Sequence, residues 1–439
     1  MDLSSIQKST NSDFVIQGFI ASKTDLKIDV HLNLYKKNES GEMVLFPLGA
    51  FEFPYPKNAK VLNDLYKQRK VTVRNIVKII EPGVTVNNEG DFETDDPEAY
   101  RFVIAAHHMS RTDDCTDMQR AEELLLKAVE RDEKFVYAYL ELFSNYYKRV
   151  WICGESTDFH QKGLAMAEII DRLAPDLYSA ISIRRSTLLV ESNQVEQAYE
   201  LSKDVDLNDP NFIYDQSYSL RYAGFLTVTR KNIEKILQLD PYFFNQKPIK
   251  QAPNTLLYLN RFDEHLALLA EPGNSYHDYF RGLNLYLTDK IDLANKVLRE
   301  VVIRTPNDLF GQFSQALLHV IDGDDVNANK VIDTIAKLRD NKKHSDGEMT
   351  YKLAQLYALT GDQAKALEFL QISVDQGFFP MNYFLVDPAL KSIQDTAGFI
   401  HIVDQATKRH ESFAKRFGLE SEAIYDDQFL SVVHNSDTL

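Results

Sequence analysis

The chain has two cysteines, Cys115 and Cys153, and they are the first residues whose chemistry needs placing. Cys115 opens a predicted helix just after Arg111-Thr112-Asp113-Asp114. Cys153 follows a long helical stretch ending Tyr147-Lys148-Arg149-Val150-Trp151. Counting alternate up and down helices puts both at the same end of the first helix pairs. Two states stay open: a disulfide, or two partly buried free thiols, since bridging needs Cβ atoms about 4 Å apart. A bridge would imply an oxidising compartment. His107-His108 lie side by side on a helix, where neighbours point about 100° apart and cannot easily share a metal. No HExxH or paired CxxC accompanies them, so they read as satisfied or surface histidines. Asp322-Gly323-Asp324-Asp325 resembles part of a calcium loop but lacks the later bidentate Glu, and reads as an acidic turn between helices. No glycine-rich phosphate loop and no GxSxG is present. The expectation is no catalytic residue, no metal, no cofactor and no enzymatic activity.

What remains is recognition. Phe135, Tyr137, Tyr139, Phe143, Tyr146, Tyr147 and Trp151 crowd one segment. Tyr139, Phe143, Tyr146 and Tyr147 follow helical spacing and suit packing between helices. Tyr147 and Trp151 beside Arg149 make the candidate partner-binding group, because aromatics and Arg are enriched at binding hot spots. A second aromatic group, Phe378, Phe379, Tyr383 and Phe384, is expected to close the end of the core.

These groups must be held by helices. Of 439 residues, 44% are hydrophobic and 26% charged, ordinary for a folded chain. A net charge of −16 disfavours nucleic acid, which needs a basic face. No apolar run is long enough to span a membrane, and the first residues form no signal peptide. Residues 14–20, 27–35 and 43–53 alternate as strands, and 59–80 have helical spacing closed by Pro82-Gly83. The sequence thus predicts a strand-strand-strand-helix domain over 1–83, an acidic linker over 84–96, helical repeats over 97–417 and a fraying tail over 418–439.

The repeats announce themselves by small residues followed by Asp-Pro or its relics: Ala121-Leu125-Ala128 before Asp132-Glu133, Ala198 before Asp209-Pro210, Thr229-Ile233-Ile236 before Asp240-Pro241, and Ala294-Leu298-Val301 before Pro306. Small residues at this spacing let antiparallel helices approach closely. The most regular stretch is Leu353-Ala354-Gln355-Leu356-Tyr357-Ala358-Leu359-Thr360-Gly361-Asp362, with Ala366, Leu370 and Ser373. It resembles the tetratricopeptide pattern, with Gly282, Ala294 and Pro306, and Ala316, Gly323 and Ala328, as weaker copies. Ala366 is expected to be buried against the helix carrying Leu353 and Tyr357.

The order of elements also resembles the second half of the α/β domain named after the N-terminal domain of TolB, through Asp13 to Ile20, Leu26 to Leu34 and the helix to Ile80, without that domain's first strand-helix-strand. Pro97-Glu98-Ala99-Tyr100, the Ala121 to Asp132 repeat, Gly377-Phe378-Phe379 and Asp387-Pro388-Ala389-Leu390 are similar to repeats that follow it in CadC-type winged-helix regulators and class III cyclase-associated proteins. The resemblance implies an α+β chain: a small α/β N-terminal domain, then an all-α tetratricopeptide-like solenoid. It further implies a sensory or docking part of a bacterial signalling system, periplasmic if the part stands beyond a membrane. The alternatives are a cytoplasmic assembly adaptor and a hydrolase with a site between the domains. A protein partner is expected; a small-molecule ligand and a homodimer are left open.

Overall fold

The computed structural model describes residues 14–23, 27–37 and 43–54 by their backbone and, apart from short stretches, residues 94–422. The helix expected over 59–80, nearly all of the linker and the tail beyond Glu422 lie outside the described residues. Three strands, β1 (Phe14–Lys23), β2 (Lys27–Lys37) and β3 (Met43–Pro54), pair in the order β1-β2-β3. Both pairings are antiparallel, with Gln17 opposite Asn33 and His31 opposite Ala50.

The α+β fold class with its α/β domain is therefore corrected. An α/β unit joins parallel strands through crossover helices, whereas these strands follow one another as an antiparallel meander that needs none. Period-two alternation specifies a strand but is silent about the direction of its neighbour. The body of the described chain is all-α.

That body runs α1 (Pro97–Met109), α2 (Cys115–Arg131), α3 (Val136–Cys153), α4 (Asp158–Leu173), α5 (Val195–Ser202), α6 (Pro210–Tyr222), α7 (Leu226–Leu239), α8 (Asn254–Tyr258) and α9 (Phe262–Leu268). It continues as α10 (Ser275–Leu287), α11 (Ile291–Arg304), α12 (Leu309–Ile321), α13 (Asp325–Asn341), α14 (Gly347–Leu359), α15 (Gln363–Asp375), α16 (Met381–Val386) and α17 (Ala397–Phe417). The chain divides into two compact units, residues 1–145 with 168–177, and residues 146–167 with 178–439.

In the second unit the repeat is written in the backbone. Asn193, Gly224, Asn260, Asp289, Gly323 and Gly361 all have positive φ and fall 29 to 38 residues apart. Each sits in the turn between two antiparallel helices, where a left-handed residue lets the chain reverse. Five positions after each comes the residue at the helix crossing: Ala198, Thr229, His265, Ala294, Ala328 and Ala366, all fully buried. Twelve positions before Thr229, Ala294, Ala328 and Ala366 stand their partners on the first helix, Ser217, Gly282, Ala316 and Ala354. A Cβ on Gly282 would lie 2.5 Å from Leu298 Cδ2, so any larger residue there would force the Leu298 side chain to shift. Ala366 is buried as expected, since a larger side chain would push α14 and α15 apart.

One repeat departs from the rest. α8 and α9 are a helix of five residues and one of seven. His265 occupies the position that is Ala or Thr elsewhere.

Candidate functional site

Of the candidate partner-binding group, the structure describes the side chains of Tyr147 and Arg149. Arg149 is buried, donates from Nη2 to Glu155 Oε1 at 2.9 Å and lies 4.4 Å above the Phe159 ring. Lys162 sits over the same ring at 4.2 Å, so this cationic and aromatic material is packed on itself. Tyr147 is half-buried, and the Trp151 side chain lies outside the described residues. Neither Cys115, at the start of α2, nor Cys153, at the end of α3, is a free thiol: both are disulfide-bonded.

In the second unit the face where a repeat array would offer a groove is filled by the chain itself. The first helices of the repeats, α6, α8, α10 and α14, are buried almost all round, whereas α7 and α11 bury one stripe. Residues 377–390 supply the filling. Phe379 N–H donates to Tyr222 O at 2.9 Å, and Asn382 Nδ2 donates to Gly224 O at 3.0 Å. Tyr383 stacks on Tyr258 with centroids 4.3 Å apart, and Phe384 stacks on Tyr351 at 5.0 Å. The second aromatic group thus enters the middle of the core rather than closing its end.

At the centre is Glu348 on α14. Its carboxylate accepts from Arg221 of α6 and from Tyr258 of α8, with Asn254 Nδ2 at 3.4 Å. Tyr222 donates to Asp346 at 2.8 Å, and Arg339 Nη2 donates to Asp346 O at 2.8 Å and Thr350 Oγ1 at 2.9 Å. Asp387 accepts from Tyr351 and Gln355. Lys352, one turn past Glu348, has no hydrogen-bond partner; its Nζ faces the rings of Tyr258, Phe280 and Tyr351 at 5.0, 5.1 and 5.4 Å. Burial brings its pKa down to about 8. Burial, with Lys352 nearby, brings His265 down to about 3, and burial brings His160 to about 4. Every one of these groups is sealed from solvent, so the cluster can fix how the helices meet but cannot receive a substrate.

The first unit carries the open feature. A groove of about 470 Å³ is lined by Leu126, Val129 and Glu130 of α2, by Glu133 and Tyr139, and by Ile169, Arg172 and Leu173 of α4. Leu126 is 46% and Leu173 36% exposed, large apolar side chains facing water across the same depression. Tyr139 forms its floor; its hydroxyl donates to Glu133 O at 3.2 Å, and burial, then Glu133 and Asp132, push its pKa up. Arg131, the basic residue at the end of α2, is drawn off by Asp96, the N-cap of α1, at 2.8 Å. The rim is left with Glu130 and Glu133 against Arg172. No motif marked this groove in the sequence, because Leu126, Val129, Ile169 and Leu173 look like ordinary helical core positions. A second depression, lined by Glu196, Glu200 and Arg416, is polar, and Glu196 is held by Arg409 at 3.1 and 3.2 Å. Among the described residues no group of His, Cys, Asp or Glu is arranged to hold a metal ion, and no helix is long and apolar enough to cross a membrane.

No protein-family model and no curated protein matches the chain. Among solved structures it is similar to the Cut9–Hcn1 hetero-tetramer of APC/C, at 16% identity and a TM-score of 0.47, covering 83% of this chain and 66% of that one, just under two thirds. It is also similar to a tetratricopeptide repeat protein from Parabacteroides merdae, at 13% identity and a TM-score of 0.25 over 77% of this chain and 98% of the other. A third is a Rap protein complexed with Competence and Sporulation Factor, at 12% identity and a TM-score of 0.37 over 73% and 92%. The repeated left-handed turns and helix crossings of the chain itself define it as tetratricopeptide-like. Nothing points to a TolB-like domain or a CadC-type regulator.

Proposed function

We propose that the chain is a non-catalytic assembly adaptor that grips a partner protein in the groove between α2 and α4. The observation that carries this is the exposure of Leu126 and Leu173 over an acidic rim, in a protein whose repeat core is occupied by its own residues. Exposed apolar patches rimmed by polar groups are what protein interfaces leave behind when the partner is absent. The groove suits a helix offering two or three apolar side chains on one face, with Lys or Arg beside them to meet Glu130 and Glu133. Protein-binding neighbours such as Cut9–Hcn1 and the Rap complex agree with an interaction role, and the adaptor reading fits better than the bacterial sensory one. No observation favours a small-molecule ligand, a homodimer or the hydrolase reading.

The test is to isolate the tagged protein from its source cells alongside Leu126→Glu/Leu173→Glu and, as a control, Ile303→Glu at a side chain 82% exposed elsewhere. A stoichiometric partner should be retained by the control and lost by the double variant. Retention by both would sink the groove as the docking site. The bonded state of both cysteines supports an oxidising compartment. Alkylation of the unreduced natural protein should then modify neither Cys115 nor Cys153.

A further inference from the structure

α7 begins without help from its own sequence. Its N-cap is Phe225, which offers no side-chain oxygen, whereas Asp or Asn caps α1, α2, α6, α10, α12, α14 and α15. Its first amides are met from the far end of the chain: the Glu422 carboxylate accepts from Thr227 N at 2.8 Å and Val228 N at 3.0 Å. An anion at this place complements the positive end of the helix dipole. The strap that carries Glu422 leaves α17 at Gly418, where φ is 65°, and Leu419 N–H donates back to Ala414 O at 2.9 Å.

The strap is fastened by one histidine. Glu422 N–H donates to His410 Nε2 at 3.0 Å, and His410 Nδ1 lies 2.6 Å from Ala223 O, in the turn just before α7. A carbonyl can only accept and an amide N–H can only donate. Nδ1 therefore carries the proton and Nε2 is bare, which only the neutral ring satisfies. The ring stacks on Phe225 with centroids 4.3 Å apart. The charged groups around it are Glu422 on the strap and Glu411 on its own helix; Arg409 is taken by Glu196 of α5. The turn at 223–225 presents backbone and the Phe225 ring, and Gly224 is wedged so closely that a Cβ there would lie 3.1 Å from Pro380 Cα and 3.2 Å from His410 Nδ1.

We infer that His410 and Glu422 form a proton-operated latch that holds the strap, Leu419 to Glu422, on the start of α7. A second proton on His410 puts an N–H against the Glu422 N–H and breaks that bond. The imidazolium then attracts the Glu422 carboxylate and draws it from the Thr227 and Val228 amides. Burial lowers the histidine pKa below its ordinary value, so the latch is closed at neutral pH and opens on the acid side.

A thiol-reactive fluorophore on Glu420→Cys tests this in the full chain, since both native cysteines are bonded and Glu420 is exposed. Anisotropy should fall as the pH is taken from neutral to well below the ordinary histidine value of 6.5, and the same label in His410→Gln should show no such fall. A flat profile in the parent, or an equal fall in His410→Gln, overturns the latch. Should His410→Gln fail to fold by circular dichroism, Glu422→Ala decides: it keeps the amide bond to His410 but loses the carboxylate's hold on α7, so its label should be less restrained than the parent's at neutral pH, and an anisotropy equal to the parent's there overturns the proposal.

Discussion

The groove of the first unit and the core of the second invert the usual arrangement of side chains. In the groove, leucines face water. In the core, Glu348, Arg221, Asp346, Arg339, Asp387 and Lys352 are buried among tyrosines and phenylalanines. Exposed apolar surface lowers its free energy when something covers it, whereas buried charge is tolerated only in one geometry. The first region is therefore suited to an exchangeable contact and the second to a permanent one.

The sharpest way to break that contrast is at Arg221. Arg221→Met leaves Glu348 buried without its counter-charge and should cost about 3–5 kcal/mol in urea unfolding. Adding Glu348→Gln should recover much of the loss. A single variant as stable as the parent would falsify the claim that this pair sets the packing.

Lys352 should behave in the opposite sense. It is buried and unpaired, so Lys352→Met, nearly equal in volume, should stabilise by about 1–4 kcal/mol at neutral pH. Lys352 loses its proton at about 8 in the fold against an ordinary 10.5. Between those values the unfolded chain holds a proton that the native chain has shed, so parent stability rises with pH there. The advantage of Lys352→Met should shrink across that window; an advantage independent of pH would show that Lys352 is not the cause.

Ala366→Leu tests the repeat itself, with a cost of about 1–3 kcal/mol from overpacking α14 against α15. The groove variants Leu126→Ser and Leu173→Ser should change stability least, within about 0.5 kcal/mol each. Their effect should appear in partner affinity alone, and a large loss of stability would mean these leucines are core.

The repeat was legible where small residues recur, as at Ala354 and Ala366 with Gly361 between them. It was harder to see where Asn193, Asn260 and Asp289 take the left-handed turn, because Asn and Asp are equally at home in right-handed turns and caps. The short pair α8 and α9 was hidden for a related reason: His265 stands where the pattern calls for a small residue. With His160, it titrates far below the ordinary 6.5, so stability should be lost as pH falls from there toward about 4 and about 3, and His265→Ala should lessen that loss. The charged core was not legible at all. Glu348 and Lys352 are four apart, the spacing of a solvated helix pair. Only contacts made from α6 and α8, far away in sequence, turn that face inward.

Arg221 and Glu348 are separated by 127 positions along the chain and yet touch. Arrays in which each repeat meets only its neighbours unfold piecemeal, from the ends inward, with stabilities that add. Here the loop must close before the pair can form, which slows folding but ties distant repeats into one event. The second unit should melt as a single cooperative transition, and removing its last repeat should unravel its first.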